Sequence, residues 1–263
     1  MRWLNRLRHQ KLEARSEEGA MAEALTAAKS GDYEAALRIW EPLARSGVAR
    51  AQNNIGACFA EGLGVQRDPD LALQWLRLAA EAGDPVGERN YAAFHLQRPN
   101  GTVADHRVAA EYYRRAAEKG DAPAQDMLSW MLLEGEVMPV DTVEARLWAE
   151  HAANAGIPSS MTRLGMLYHN ALGVERDPEK AVSWWLKAAL KNDADAQAML
   201  GAACHMGMGT SRNGVAALAW LIRAMEGGSA LARPFVGPVR DSLSPNEIAE
   251  AQRVALEPFQ EAR

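Results

Sequence analysis

A helix-stopping residue recurs almost every 36 positions along this 263-residue chain. The marks are Gly47, Gly83, Gly120, Gly156, Asn192 and Gly228, spaced 36, 37, 36, 36 and 36. Asn192 keeps to the rule, because Asn, after Gly, best tolerates the left-handed backbone that ends a helix. No other feature constrains the fold so tightly. A period of this length marks one supersecondary unit that cannot bury its apolar face alone, so neighbouring units must supply the core.

Other columns hold the same beat. Fifteen residues before each mark stand Asp32, Asp68, Asp105, Asp141, Asp177 and Asn213. These read as helix N-caps, whose side chains accept from the orphan backbone N–H groups of a first turn. Pro69 and Pro178 follow two of them, at the first helical position, where a missing N–H costs nothing. Eleven before the mark stand Ala36, Ala72, Ala109, Ala145, Ala181 and Ala217, and eight before it Trp75, Tyr112, Trp148, Trp184 and Trp220. Alanine and ring lie about one turn apart on one helix, so the pattern predicts close helix approach at the alanine and a ring filling the space beside it. Four after the mark the residues are small: Ala51, Gly87, Ala124, Ser160, Ala196 and Ala232.

A second helix lies upstream in each unit. AQNNIGACFAEG (51–62), AQDMLSWMLLEG (124–135), SMTRLGMLYHNA (160–171) and AQAMLGAACHMG (196–207) superimpose, with Ile or Leu and small residues at helical spacing. Each unit is therefore helix, Gly-rich loop, helix. β-Branched residues are sparse and alanine abundant, which also favours helix over strand.

These residues resemble the Sel-one-like repeat family, a relative of the tetratricopeptide repeats. Residues 161–189, MTRLGMLYHNALGVERDPEKAVSWWLKAA, follow the family pattern almost throughout, and the likeness runs from about residue 20 to about residue 230. The resemblance implies an all-α, right-handed α/α superhelical solenoid of about six helix pairs with a capping helix. The expected organisation is a basic segment (1–16), the repeat solenoid (17–228), and a C-terminal partial repeat with its cap (229–263). Several loops depart from the pattern. QRPNGTVAD stands in the third unit, EGEVMPVD in the fourth and GMGTSRN in the sixth, and these are expected to differ in shape. Near the end, ALARPFVGPVRD (230–241) predicts a short or broken helix, because Pro234 and Gly237-Pro238 interrupt it. LSPNEIAEAQRVALEPF then shows Ser244, Pro245 and Glu247 as cap, first turn and capping-box partner, with Ile248, Ala251, Ala255 and Phe259 as one apolar stripe.

Charge and motifs exclude several functions. The net charge of −5 gives no general attraction to nucleic acid. Residues 1–15 nonetheless hold Arg2, Arg6, Arg8, Lys11 and Arg15 against Glu13, a net of +4, with Trp3, Leu4 and Leu7 between them. That segment suits either a frayed end or an anionic membrane surface. No apolar run spans a bilayer. GLGVQRD and GMGTSRN follow helices rather than strands and lack a following Lys-Ser or Lys-Thr, so they read as turns rather than phosphate loops. No metal spacing joins the six His and two Cys, and no nucleophile motif occurs, so no cofactor, metal or catalytic residue is expected. Cys58 and Cys204 sit in distant units and read as free buried thiols. The family's secreted members often pair cysteines within units. Their absence, and the resemblance, make the expected protein a bacterial, cytoplasmic, non-enzymatic adaptor.

The resemblance also implies that first helices line a concave groove. Around the inward column Ile55, Ala92, Leu128, Leu164 and Leu200, three flanking columns supply candidates for holding a protein or extended peptide. They are Asn53, Asn90, Asp126 and Thr162; Phe94, Trp130 and Met166; and Gln97, His169 and His205. Asn53 and Asn90 are candidates to pin a peptide backbone, or are solvated surface. Trp130 breaks the aromatic pattern. Either it forms a shelf with Phe94 and Met166 or it packs into the core. A membrane-adjacent assembly scaffold docked through residues 1–15 is the second reading. An enzyme or small-molecule carrier is the third.

Overall fold

The computed structural model describes residues 17–97 and 102–258, and these contain helices and turns but no strand. They fall into two compact units, one ending at Ala124 and the other beginning at Gln125. The expected basic segment, loop residues 98–101 and Phe259 lie outside the described residues.

The first unit carries α1 (17–29), α2 (Tyr33–Arg45), α3 (Ala49–Glu61), α4 (Pro69–Glu81), α5 (Pro85–Leu96) and α6 (Val103–Glu118). Consecutive helices pack as hairpins: α2 on α3, α3 on α4, α4 on α5 and α5 on α6, while α3 also meets α5. From Gln125 on, within α7 (Ala122–Glu134), the second unit continues with α8 (Thr142–Asn154), α9 (Pro158–Asn170), α10 (Pro178–Ala189), α11 (Ala194–Met206) and α12 (Gly214–Glu226). A 3₁₀ turn, Ala230–Ala232, and α13 (Arg233–Asp241) follow, and α14 (Pro245–Leu256) lies on α12. The class is the α/α repeat solenoid that the resemblance implies. The Ser244–Glu247 capping box forms as expected, and Ala251 and Ala255 are buried in the second unit's core.

All six marks have positive φ, from 63° at Asn192 to 96° at Gly156. Five of the six expected caps work as N-caps: Asp32, Asp68, Asp141, Asp177 and Asn213 each accept from first-turn amides. Asp105 is the exception. In the third unit the helix begins three residues earlier, Thr102 is the N-cap, and Asp105 is its capping-box partner. QRPNGTVAD places Thr102 three residues before Asp105, the spacing at which the two satisfy each other's backbone N–H groups as a capping box.

The Gly-rich loops close alike where their sequences differ. The amides of Asp68, Asp141, Asp177 and Asn213 all reach back nine residues, to the carbonyls of Phe59, Leu132, Tyr168 and Cys204, at 2.9–3.0 Å. The fourth and sixth loops, expected to deviate, therefore share this closure. The second loop glycine has a steric reason as well as a conformational one. A Cβ on Gly173 would meet Thr142 O at 2.3 Å, and one on Gly209 would meet Pro178 O at 2.0 Å. These two loops thus seat the glycine on the start of the preceding second helix.

The core corrects one expectation. The Ala36-to-Ala217 column is fully buried, but Trp75, Tyr112, Trp148, Trp184 and Trp220 are only half-buried. The ring that fills the space lies one residue later, in the column Trp40, Leu76, Tyr113, Ala149, Trp185 and Leu221. These positions stand four after the alanine, where a helical side chain shares its face most directly. Three of them insert at a glycine of the first helix. Leu76 sits on Gly56, Trp185 on Gly165 and Leu221 on Gly201. In the fourth unit Ala149 is small, and there the first helix carries Ser129, whose hydroxyl donates to Ala145 O at 2.7 Å.

Candidate functional site

The candidate columns run along first helices α3, α5, α7, α9 and α11. Side chains two positions before the inward column are drawn into bonds between successive first helices. Asn90 Nδ2 donates to Asn53 Oδ1 at 2.8 Å, and Asn53 is only 4% exposed. Asp126 accepts from Ser159 Oγ at 2.9 Å, from Ser160 Oγ, and from Arg163 Nη1 at 2.5 Å. Thr162 is buried, with its hydroxyl 3.0 Å from Asp193 Oδ1. Partly buried polar groups need partners, and the next repeat supplies them. The same rule places Arg50 on Asp84 at 2.8 Å and Arg89 on Asp121 at 2.9 Å. Both acceptors are also helix-start aspartates, so one carboxylate serves cap and neighbour at once.

Two positions after the inward column the picture changes. Trp130 is 38% exposed and Met166 43% exposed. Phe94 is half-buried against the cluster of Leu76, Ala80 and Tyr91. Of the third column, Gln97 is exposed at the end of α5, His205 is half-buried, and the His169 ring lies 5.6 Å from that of Trp185.

Each unit gathers part of the set into a cleft. In the first unit Asn90, Phe94 and Gln97 join Ala57 and Ala60 around a shallow depression of about 190 Å³ between α3 and α5. In the second unit Trp130, Thr162 and Met166 line a larger cleft of about 500 Å³ between α7 and α9. Asn53, Asp126, His169 and His205 line neither. The larger cleft also draws on residues that helical spacing alone misses. Val140 and Leu172 come from the loops after α7 and α9, and Asp193 and Asp195 from the start of α11. Val140 is 59% and Leu172 41% exposed. Apolar residues in the loops GEVMPVD (135–141) and ALGVERD (171–177) were the available signal for both.

One further pair has the look of chemistry. His95 Nδ1 lies 2.8 Å from Asp105 Oδ1, and His95 Nε2 is buried with no hydrogen-bond partner among the described residues. The other carboxylate oxygen accepts from Thr102 N at 2.8 Å and Thr102 Oγ1 at 2.7 Å. Asp105 is thus spent on the helix cap, and Tyr91 packs edge-on against the imidazole at 4.7 Å. Among the described residues no group of three or more His, Cys, Asp or Glu is placed to hold a metal ion. No helix among them is long and apolar enough to cross a membrane.

The chain is 40% identical over 132 residues to the chitin synthase regulator SKT5 of Saccharomyces cerevisiae, covering 49% of this chain and 19% of that protein. It is 31% identical over 171 residues to the DAP3-binding cell death enhancer 1 of Mus musculus, covering 64% of this chain and 33% of that protein. The chain therefore spans a third or less of these relatives. A crystal structure of a Sel1 repeat protein from Oxalobacter formigenes superimposes with a TM-score of 0.76 at 25% identity, covering 90% of this chain and 98% of that one. The Sel1 repeat model matches five consecutive stretches, residues 49–84, 85–121, 122–157, 158–193 and 194–229. Each stretch holds one first helix and one second helix, and the chain belongs to the Sel1 repeat family.

Proposed function

We propose that this protein is a non-enzymatic adaptor that holds a protein, or an extended segment of one, against its first helices. The observation that carries this reading is the exposure of Trp130 and Met166 on α7 and α9, around one cleft with Val140 and Leu172. Large apolar side chains that line a concavity and stay in contact with water mark binding surfaces. Family membership supports it, since Sel1 repeats usually serve as protein-interaction scaffolds. So do the relatives' names: one is a regulator of an enzyme and the other a binding protein. In this reading Trp130 and Met166 are the anchors of the second unit, and Asn90, Phe94 and Gln97 face the ligand in the first. Asn53, Asp126 and Thr162 set the spacing of the helices that present them.

Affinity capture with the wild type, Trp130→Ala and an exposed second-helix control, Leu186→Ala, tests the reading. The bound protein should be lost with Trp130→Ala and kept with the control. Equal retention by all three would remove this face as the binding surface. A second reading has the basic segment 1–15 dock the scaffold on an anionic membrane, which its net charge of +4 favours. Flotation with anionic liposomes, with and without those residues, decides it. No association in either form ends that reading.

A further inference from the structure

We propose that the cleft between α7 and α9 takes a partner segment that presents a large apolar side chain beside a lysine or arginine. This inference rests on the adaptor reading above and specifies its partner. The apolar half of the recognition comes from Trp130, Val140, Met166 and Leu172, around about 500 Å³. That volume admits a Leu, Met or aromatic side chain with part of its backbone.

The charged half comes from the wall of the same cleft. Its ionisable lining is Glu134, Asp193, Asp195 and Arg163. Arg163 is already held by Asp126 at 2.5 Å, so it offers little to an incoming anion. Asp193 caps α11 through Ala196 N, and Asp195 accepts from Ser229 Oγ at 2.6 Å. Glu134 is exposed and has no ion-pair partner among the described residues. Glu134 and Asn170 are the last residues of α7 and α9, so two helix C-termini end at this cleft. The negative end of a helix dipole lies at each, beside the carboxylates. The neighbouring cations along the chain do not line the cleft: Lys191, two residues before Asp193, places its Nζ 3.8 Å from where a Cβ on Gly156 would stand. Arg146 pairs with Glu150 at 2.5 Å, and Arg176 Nε donates to His169 O at 3.2 Å. An apolar floor with an uncompensated negative wall selects an apolar-cationic segment and repels an apolar-anionic one.

The test uses the whole protein labelled at the methionine methyl groups, with the Met166 signal assigned from Met166→Leu. Three synthetic Gly/Ser-framed peptides are titrated in, each with one Leu beside a Lys, a Ser or a Glu. The Lys peptide should move the Met166 methyl signal and bind about fivefold tighter than the Ser peptide, with the Glu peptide weaker still. Glu134→Gln, and a rise from about 0.05 to about 0.3 M salt, should each shrink that preference. If the three peptides shift Met166 equally, the charge inference is wrong and the adaptor reading stands. If none shifts it, both fail at this cleft.

Discussion

Gly165 and Trp185 touch so closely that a Cβ on the glycine would lie 2.2 Å from the indole Nε1. The indole in turn donates to Thr162 O at 3.2 Å, so the ring has no easy way to retreat. Gly165→Ala should therefore cost about 1–3 kcal/mol by overpacking. The previous repeat shows the compensation, with Ser129 where Gly165 stands and Ala149 where Trp185 stands. Gly165→Ser combined with Trp185→Ala should lose less than the two single changes together. A double-mutant cycle by urea unfolding measures the coupling, and strict additivity would contradict this packing account.

Trp130 and Leu128 are two residues apart on α7 but opposite in environment. Leu128 is fully buried and Trp130 is 38% exposed. Leu128→Ala should cost about 2–5 kcal/mol. Trp130→Ala should cost no more than about 1 kcal/mol, as a surface truncation. Thermal melts of the two variants side by side check the ordering. A larger loss at Trp130 would move it into the core and withdraw it from the binding face.

Glu88 is a fully buried carboxylate whose Oε1 meets Arg115 at 2.7 Å and Lys119 at 2.8 Å, while Oε2 has no hydrogen-bond partner among the described residues. It stands in a column that holds Gln52, Gln125 and Gln197, with Met161 after Gly156. Gln52 and Gln197 each donate to the carbonyl eight residues back. Glu88→Gln can adopt that bond and should change stability by less than about 1 kcal/mol. Removing both Arg115 and Lys119 strands the buried charge and should cost about 3 kcal/mol. Chemical denaturation separates the two outcomes.

Burial pushes the Cys58 thiol up to about 11 and raises that of Cys204 as well. It also pushes the Tyr113 phenol up to about 12. In the unfolded chain these groups ionise near 9 and 10. Between the unfolded and folded values the unfolded chain has already lost the protons that the folded chain keeps. Stability must therefore fall as the solution is made more alkaline than about pH 9. Urea midpoints from about pH 8 to about pH 10.5 should decline, and less steeply in Cys58→Ala. Both thiols should react with a disulfide reagent far more slowly in the native protein than in denaturant.

The amino-acid sequence by itself determined the repeat. Its beat of stops, caps and alanines is local chemistry, because a positive φ at Gly156 or a cap at Asp177 needs only a few neighbouring residues. The terminal capping box at Ser244 was legible for the same reason. Tertiary structure decided where side chains end up. The buried ring is Trp185 rather than Trp184, since one step around a helix turns a side chain by about 100° and only the facing helix says which one inserts. Asn53 and Asp126 shared a spacing with the candidate face, yet the next repeat claimed them, because a buried polar atom takes the partner that stands nearest. Trp130 stayed in the water, and the loops brought Val140 and Leu172 to it from outside the helical pattern. Spacing along one helix defines a face, but contacts between helices define what that face can hold.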